Sequence, residues 1–151
     1  MPIYKQIILE DTTQFDSTVA QYENDPAYKV VLVYVTGSVD ERSGKSWCPD
    51  CVMSEPVIKN MFNQIEEDLE NADVDPSVPQ IAFIKCPVVR EPYKKSDFVY
   101  RTHAKLQIRS IPTLILWSAD TNYRQRIIEG QFREGSRVLG FAKDIVSRLL
   151  A

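Results

Sequence analysis

An α/β domain is predicted by three features of the 151-residue sequence. Apolar, largely β-branched runs at residues 30–35, 81–86 and 113–117 read as strands buried on both faces. Stripes of apolar residues at helical spacing alternate with them along the chain. Between the first of those strands and the longest stripe lies Trp47-Cys48-Pro49-Asp50-Cys51, a cysteine pair placed where a strand and loop give way to a helix. Strands alternating with helices indicate a sheet covered by helices.

The elements follow in order. Residues 7–9 form a short apolar run and a first candidate strand. Thr12 or Thr13 is placed to cap a helix that carries Phe15, Val19 and Tyr22 on one face, and Asn24-Asp25-Pro26 ends it. After the strand at 30–35, residues 37–46 form a polar loop. Val57, Met61, Ile65 and Leu69 recur every four residues and mark a long amphipathic helix; Pro56 lacks an N–H and is expected to kink it. Residues 71–80 hold prolines and aspartates and read as a loop before the strand at 81–86. Residues 87–96 read as irregular and charged, and 97–105 as a short helix capped by Ser96 or Asp97. Residues 123–129 are expected to pair antiparallel with the strand at 113–117. A final helix from about Ser136 is expected to bury Leu139, Ala142, Val146 and Leu149.

Bulk composition narrows the function. The hydrophobic share is 44%, the charged share 26% and the net charge −3, ordinary for a water-soluble domain. A chain of this length buries roughly two-thirds of its unfolded surface, enough for one domain over residues 1–151 without disulfide staples. Lys and Arg are scattered among acids, so no nucleic-acid partner is expected. No apolar stretch approaches a membrane span, and no apolar signal region follows Met1-Pro2-Ile3-Tyr4. A cytoplasmic monomer is the expectation. In a reducing compartment, a close cysteine pair is catalytic or metal-binding more often than structural.

The motif supplies the chemistry. Pro49 suits a first helical turn, where its missing N–H is not needed. That places Cys48 at the N-cap and Cys51 one turn in. Unpaired backbone N–H groups and the positive end of the helix dipole then face the Cys48 sulfur and favour thiolate, the nucleophilic form. One thiol attacks a substrate disulfide and the other resolves the mixed disulfide. Cys48, at the exposed end, is the expected attacker; Cys51 points toward the helix body. Asp50 suits a helix N-terminus but opposes a neighbouring negative sulfur, and Lys45 is the cation expected to offset it. Ile111-Pro112-Thr113 invites a cis peptide bond before a buried strand, and the Ile111 backbone is then placed to bind an extended substrate segment.

Other residues have blander readings. Zinc would need two more ligands, and the remaining candidates, Cys86 and His103, belong to no second paired motif. Cys86 reads as a small buried hydrophobe and His103 as solvated surface without a nearby acid in sequence. Glu55 reads as a solvated carboxylate. Trp47 reads as a shield beside the sulfur, Trp117 as core, and 90–95 as a solvated loop.

The pentapeptide Trp47-Cys48-Pro49-Asp50-Cys51 with Glu55-Pro56 resembles the thioredoxin-related protein of 14 kDa family. Tyr34-Val35-Thr36-Gly37-Ser38, Gly44-Lys45-Ser46, Pro92-Tyr93, Asp97-Phe98 and Ile111-Pro112-Thr113-Leu114 extend the likeness over most of the chain. The resemblance implies a thioredoxin fold: a central mixed β-sheet flanked by α-helices in three layers. It implies Cys48 as nucleophile and Cys51 as resolver, with Trp47 and Pro112 lining the site; Pro49, Asp50 and Ile111 are expected to complete the substrate-binding surface. It implies no bound cofactor, a redox-active Cys48–Cys51 disulfide, and electrons from NADPH through the partner thioredoxin reductase. Small disulfides such as cystine, and glutathionylated or nitrosylated thiols, are the implied substrates. Tyr34 stands where ordinary thioredoxins carry a buried aspartate, which implies another route for the Cys51 proton. Val89 and Lys94 depart from the Gly and Trp usual in the family, in loops expected to border the site.

The leading expectation is therefore a dithiol–disulfide reductase. The alternatives are a thioredoxin-fold binding module with a regulatory redox pair, a small zinc protein, and an oxidase of an oxidising compartment.

Overall fold

The protein is described from a computed structural model covering residues 3–118 and 125–151. Five strands form one mixed sheet in the order β1-β3-β2-β4-β5. They are β1 (Tyr4–Ile8), β2 (Val30–Gly37), β3 (Ile81–Val88), β4 (Thr113–Trp117) and β5 (Arg126–Ile128). β3 pairs in parallel with both β1 and β2, whereas β4 runs antiparallel to β2 and β5. The helices are α1 (Phe15–Glu23), α2 (Pro49–Asn71), α3 (Arg90–Lys94), α4 (Val99–Thr102) and α5 (Gly135–Leu150). This is the three-layer thioredoxin fold that the sequence predicts.

Period-two alternation along β2 divides the core. Val31, Val33 and Val35 join Phe15, Val19, Tyr93 and Tyr100 on the face covered by α1, α3 and α4. Leu32 and Tyr34 join Ile58, Phe62, Ile65 and Ile145 on the face covered by α2 and α5. Every residue of β2 is buried, so it reads as an unbroken apolar run.

Several expected boundaries shift, each for a physical reason. β1 is an edge strand with exposed Lys5 and Gln6, so its apolar content understated its length. The first helix is preceded by a 3-10 turn at Thr12–Gln14 that Asp11 caps, its carboxylate accepting from the Thr13 N–H at 2.9 Å; the N-cap of α1 itself is Gln14, without a side-chain bond, so neither Thr12 nor Thr13 serves. β3 continues through Pro87, because β1 pairs no further than Lys85 and the missing N–H breaks no bond on that side. The charged segment after it contains the short helix α3, and α4 starts after Phe98 with no side-chain cap, so neither Ser96 nor Asp97 serves. In α5 the buried stripe is Phe141, Ala142, Ile145 and Leu149, while Leu139 is 43% exposed. α2 remains one helix through Pro56, which lies on its exposed face, where water can meet the carbonyl left without a partner. The antiparallel partner of β4 is found at Arg126–Ile128; Tyr123 and Arg124 of the expected strand lie outside the described residues.

Candidate active site

β2 delivers the chain to the site and the loop after it folds straight back. Val39 and Ser46 form an antiparallel bridge. Ser46 Oγ donates to the Gly37 carbonyl at 2.8 Å and accepts from the Cys48 N–H at 3.2 Å. The return is so close that a Cβ at Gly37 would stand 2.7 Å from Ser46 Oγ, 3.0 Å from Cys48 Cβ and 3.0 Å from Trp47 Cε2. Trp47 packs against Tyr93, with ring centroids 6.0 Å apart, and donates its indole N–H to the Val88 carbonyl at 2.9 Å. It therefore forms a fixed wall beside the motif.

Cys48 is the N-cap of α2, with extended φ and ψ of −103° and 110°, and Pro49 occupies the first turn. The Cys48 sulfur accepts from the Cys51 N–H at 3.3 Å, a donor that the helix leaves unused. The same thiol lies 3.9 Å from the Ile111 carbonyl, to which it donates. Ile111–Pro112 is a cis peptide, and Pro112 is buried. Cys48 keeps 7% of its surface exposed and Cys51 keeps none. Both are buried free thiols, and Cys48 is the one that retains some exposed surface.

The Cys51 sulfur accepts a hydrogen bond from the Gly37 N–H at 3.3 Å. Burial pushes its thiol up to about 12, and the bond to Cys48 adds to that rise; the Thr36 hydroxyl and the Gly37 N–H pull the other way. Beside it, the Tyr34 hydroxyl pairs with Ser54 Oγ at 2.5 Å, and Ser54 Oγ donates to the Cys51 carbonyl at 2.8 Å. Burial raises the Tyr34 phenol well above its ordinary value, so it stays protonated. Thr36 Oγ1 is buried and forms no hydrogen bond of good geometry, although it lies near enough to both Cys51 and Tyr34 to favour their anions.

Charge around the motif differs from expectation at one point. The cation beside Asp50 is Arg133, with Nη2 3.6 Å from Oδ1, and not Lys45. Arg133 arrives from a 3-10 turn at Glu129–Arg133, which is tied to the cis-proline loop by the Glu129 N–H and the Pro112 carbonyl at 2.9 Å. Its sequence distance from the motif gave no signal. Glu55 is half-exposed but paired, its Oε1 3.0 Å from Lys85 Nζ.

The two zinc candidates are engaged elsewhere. Cys86 is fully buried, as expected, and burial pushes its thiol up to about 12. His103 is held rather than solvated: Nε2 meets Asp16 Oδ1 at 2.7 Å and Nδ1 accepts from the Lys105 and Leu106 N–H groups. Its acid partner is 87 residues away in sequence. Among the described residues, no three His, Cys, Asp or Glu side chains gather so as to hold a metal ion.

The fold thus brings Trp47, Cys48, Cys51, Ile111 and Pro112 together, with Pro49 and Asp50 on the outer first turn. Ser54 and Arg133 were not singled out from sequence, and Thr36, Gly37 and Tyr93 entered only as part of the family likeness, with no role of their own. Ser54 carried one usable signal, its position one turn after Cys51 and on the face toward Tyr34.

Comparison with known proteins agrees with the fold. The family described as thioredoxin domain-containing protein 17-like, thioredoxin domain, matches residues 9–141. Thioredoxin domain-containing protein 17 of Mus musculus is 31% identical over 141 residues, 91% of this chain and 94% of that protein. Its Homo sapiens counterpart is 29% identical over the same shares. Acireductone dioxygenase of Leishmania infantum is 36% identical over 87 residues, 57% of this chain but only 23% of that protein.

Proposed function

Because the chain belongs to the thioredoxin domain-containing protein 17-like thioredoxin family, we propose that it is a dithiol–disulfide reductase in which Cys48 attacks and Cys51 resolves. The observation that carries the reading is the asymmetry of the pair: Cys48 keeps some exposed surface and its sulfur takes the free Cys51 N–H, while Cys51 keeps none. The Cys48 thiolate attacks a substrate sulfur, forming a mixed disulfide and releasing one thiol. Cys51 then attacks the Cys48 sulfur, closing the Cys48–Cys51 disulfide and releasing the second thiol. Keeping Cys51 protonated in the resting state confines attack to Cys48.

The substrate docks against the cis-proline loop, where the Ile111 carbonyl beside Cys48 accepts a backbone N–H from an extended segment. Trp47 walls one side, and Pro49 and Asp50 form the outer lip. The small exposed surface left at Cys48 suits small or accessible disulfides: cystine, glutathionylated thiols and nitrosylated thiols. Thioredoxin reductase and NADPH return the electrons, with no bound cofactor, in a cytosolic monomer. Among the described residues no helix is long and apolar enough to cross a membrane.

The test is NADPH consumption with thioredoxin reductase, using cystine and insulin separately, for the wild type and Cys48→Ser. Turnover of cystine that disappears in the variant, with slower turnover of insulin, is the expected result. No turnover with either substrate would move the binding-module reading to first place.

A further inference from the structure

We propose that the Thr36 hydroxyl is the group that stabilises the Cys51 sulfur as it becomes an anion during resolution, an assignment that rests on the dithiol reading above. Thr36 lies on β2 one residue before Gly37, whose N–H already donates to Cys51 Sγ at 3.3 Å. It follows Tyr34 by two residues, so both side chains leave the same face of the strand. Its exposure is 1%, and its buried Oγ1 has no hydrogen-bond partner among the described residues. Buried hydroxyls are seldom left so, and one that is invites a functional explanation.

The neighbouring hydroxyls are already committed. Tyr34 pairs with Ser54 at 2.5 Å, and Ser54 donates to the Cys51 carbonyl at 2.8 Å. Thr36 is therefore the hydroxyl at this corner with its proton uncommitted. Cys51 has no exposed surface. A donor idle against the thiol and engaged against the thiolate stabilises the transition state more than the ground state.

The step balances without another reactant. The Cys51 sulfur bonds to the Cys48 sulfur as the bond from Cys48 to the substrate sulfur breaks. The electron pair leaves on the substrate sulfur, and the proton given up by Cys51 ends there, yielding substrate thiol. Thr36 donates its O–H to Cys51 while charge develops and keeps its own proton.

The chromogenic disulfide dithiobis(nitrobenzoate) separates the two steps in stopped flow, since each releases one nitrothiobenzoate. The wild type should release two in succession. Thr36→Val should leave the first release within about twofold and slow the second by about tenfold or more, the loss expected for one hydrogen bond to a charged group; Thr36→Ser should restore it. An unchanged second phase, equal slowing of both phases, or a serine variant as slow as valine would overturn the proposal. Should the valine variant fail to fold by circular dichroism, Thr36→Ala against Thr36→Ser makes the same comparison, and equal second-phase rates overturn it. A wild type that releases only one nitrothiobenzoate would instead sink the dithiol reading itself.

Discussion

The backbone N–H of Gly37 points at the sulfur of Cys51 from 3.3 Å, and the space that would hold a side chain at Gly37 is filled by Ser46, Trp47 and Cys48. A strand end thus approaches a helix start so closely that only glycine fits between them. The Gly37→Ala variant should lose about 1–3 kcal/mol of stability by overpacking, because the nearest contacts, at 2.7 and 3.0 Å, include the Cys48 Cβ and cannot all give way. Urea unfolding measures the loss. Cystine reduction by the folded fraction should fall as well, since Cys48 must move.

Cys86 predicts a pH dependence. Burial pushes its thiol up from an ordinary 9.0 to about 12 in the folded protein. Above about pH 9 the unfolded chain gives up this proton and the folded chain keeps it, so stability declines with rising pH, by at most about 1.4 kcal/mol per unit. Below pH 9 this contribution is fully present. Urea unfolding from pH 7 to 10 should be level at first and then fall. Cys51, also pushed up to about 12, adds a like fall of its own, so Cys86→Ala should roughly halve the fall while costing about 1 kcal/mol at pH 7 for the lost packing. An equal slope in the variant would refute the assignment.

The Asp50–Arg133 pair should act on reactivity rather than stability. Both side chains are substantially exposed, at 42% and 66%, so Arg133→Ala should change stability by less than about 1 kcal/mol. Removing the cation leaves Asp50 unopposed beside Cys48. Alkylation of Cys48 at neutral pH should slow by about twofold to fivefold in Arg133→Ala, quicken in Asp50→Asn, and differ less in the double variant. Added salt should shrink these differences.

Trp47 offers a subtler comparison. Trp47→Phe keeps an aromatic ring against Tyr93 but removes the donor to the Val88 carbonyl. A cost of about 1–2 kcal/mol in urea unfolding is expected. A neutral substitution would mean that water replaces the indole at no loss.

The legible part of the fold was what local pattern encodes. The buried strands announced themselves because both faces of a central strand are covered, leaving an unbroken apolar run in β2. Less legible were elements whose identity depends on neighbours. β1 is half-polar because it is an edge, α3 and α4 are too short to show a period, and the α5 stripe keeps Ala142 and Leu149 but takes Phe141 and Ile145 in place of Leu139 and Val146.

The candidate site divides along the same line. By itself the sequence determined the α/β class, the helix-opening position of Cys48 and Cys51, and the proline loop, because caps, first-turn prolines and two-residue spacing are properties of adjacent residues. Tertiary structure alone decided that Cys51 would be wholly buried, that Arg133 rather than Lys45 would stand beside Asp50, that His103 would find Asp16, and that Thr36 would be left with an unpartnered hydroxyl. Those relationships join residues far apart in the chain or set by how β2 meets α2. Their energies come from desolvation and close approach, which exist only once the sheet and helices have packed.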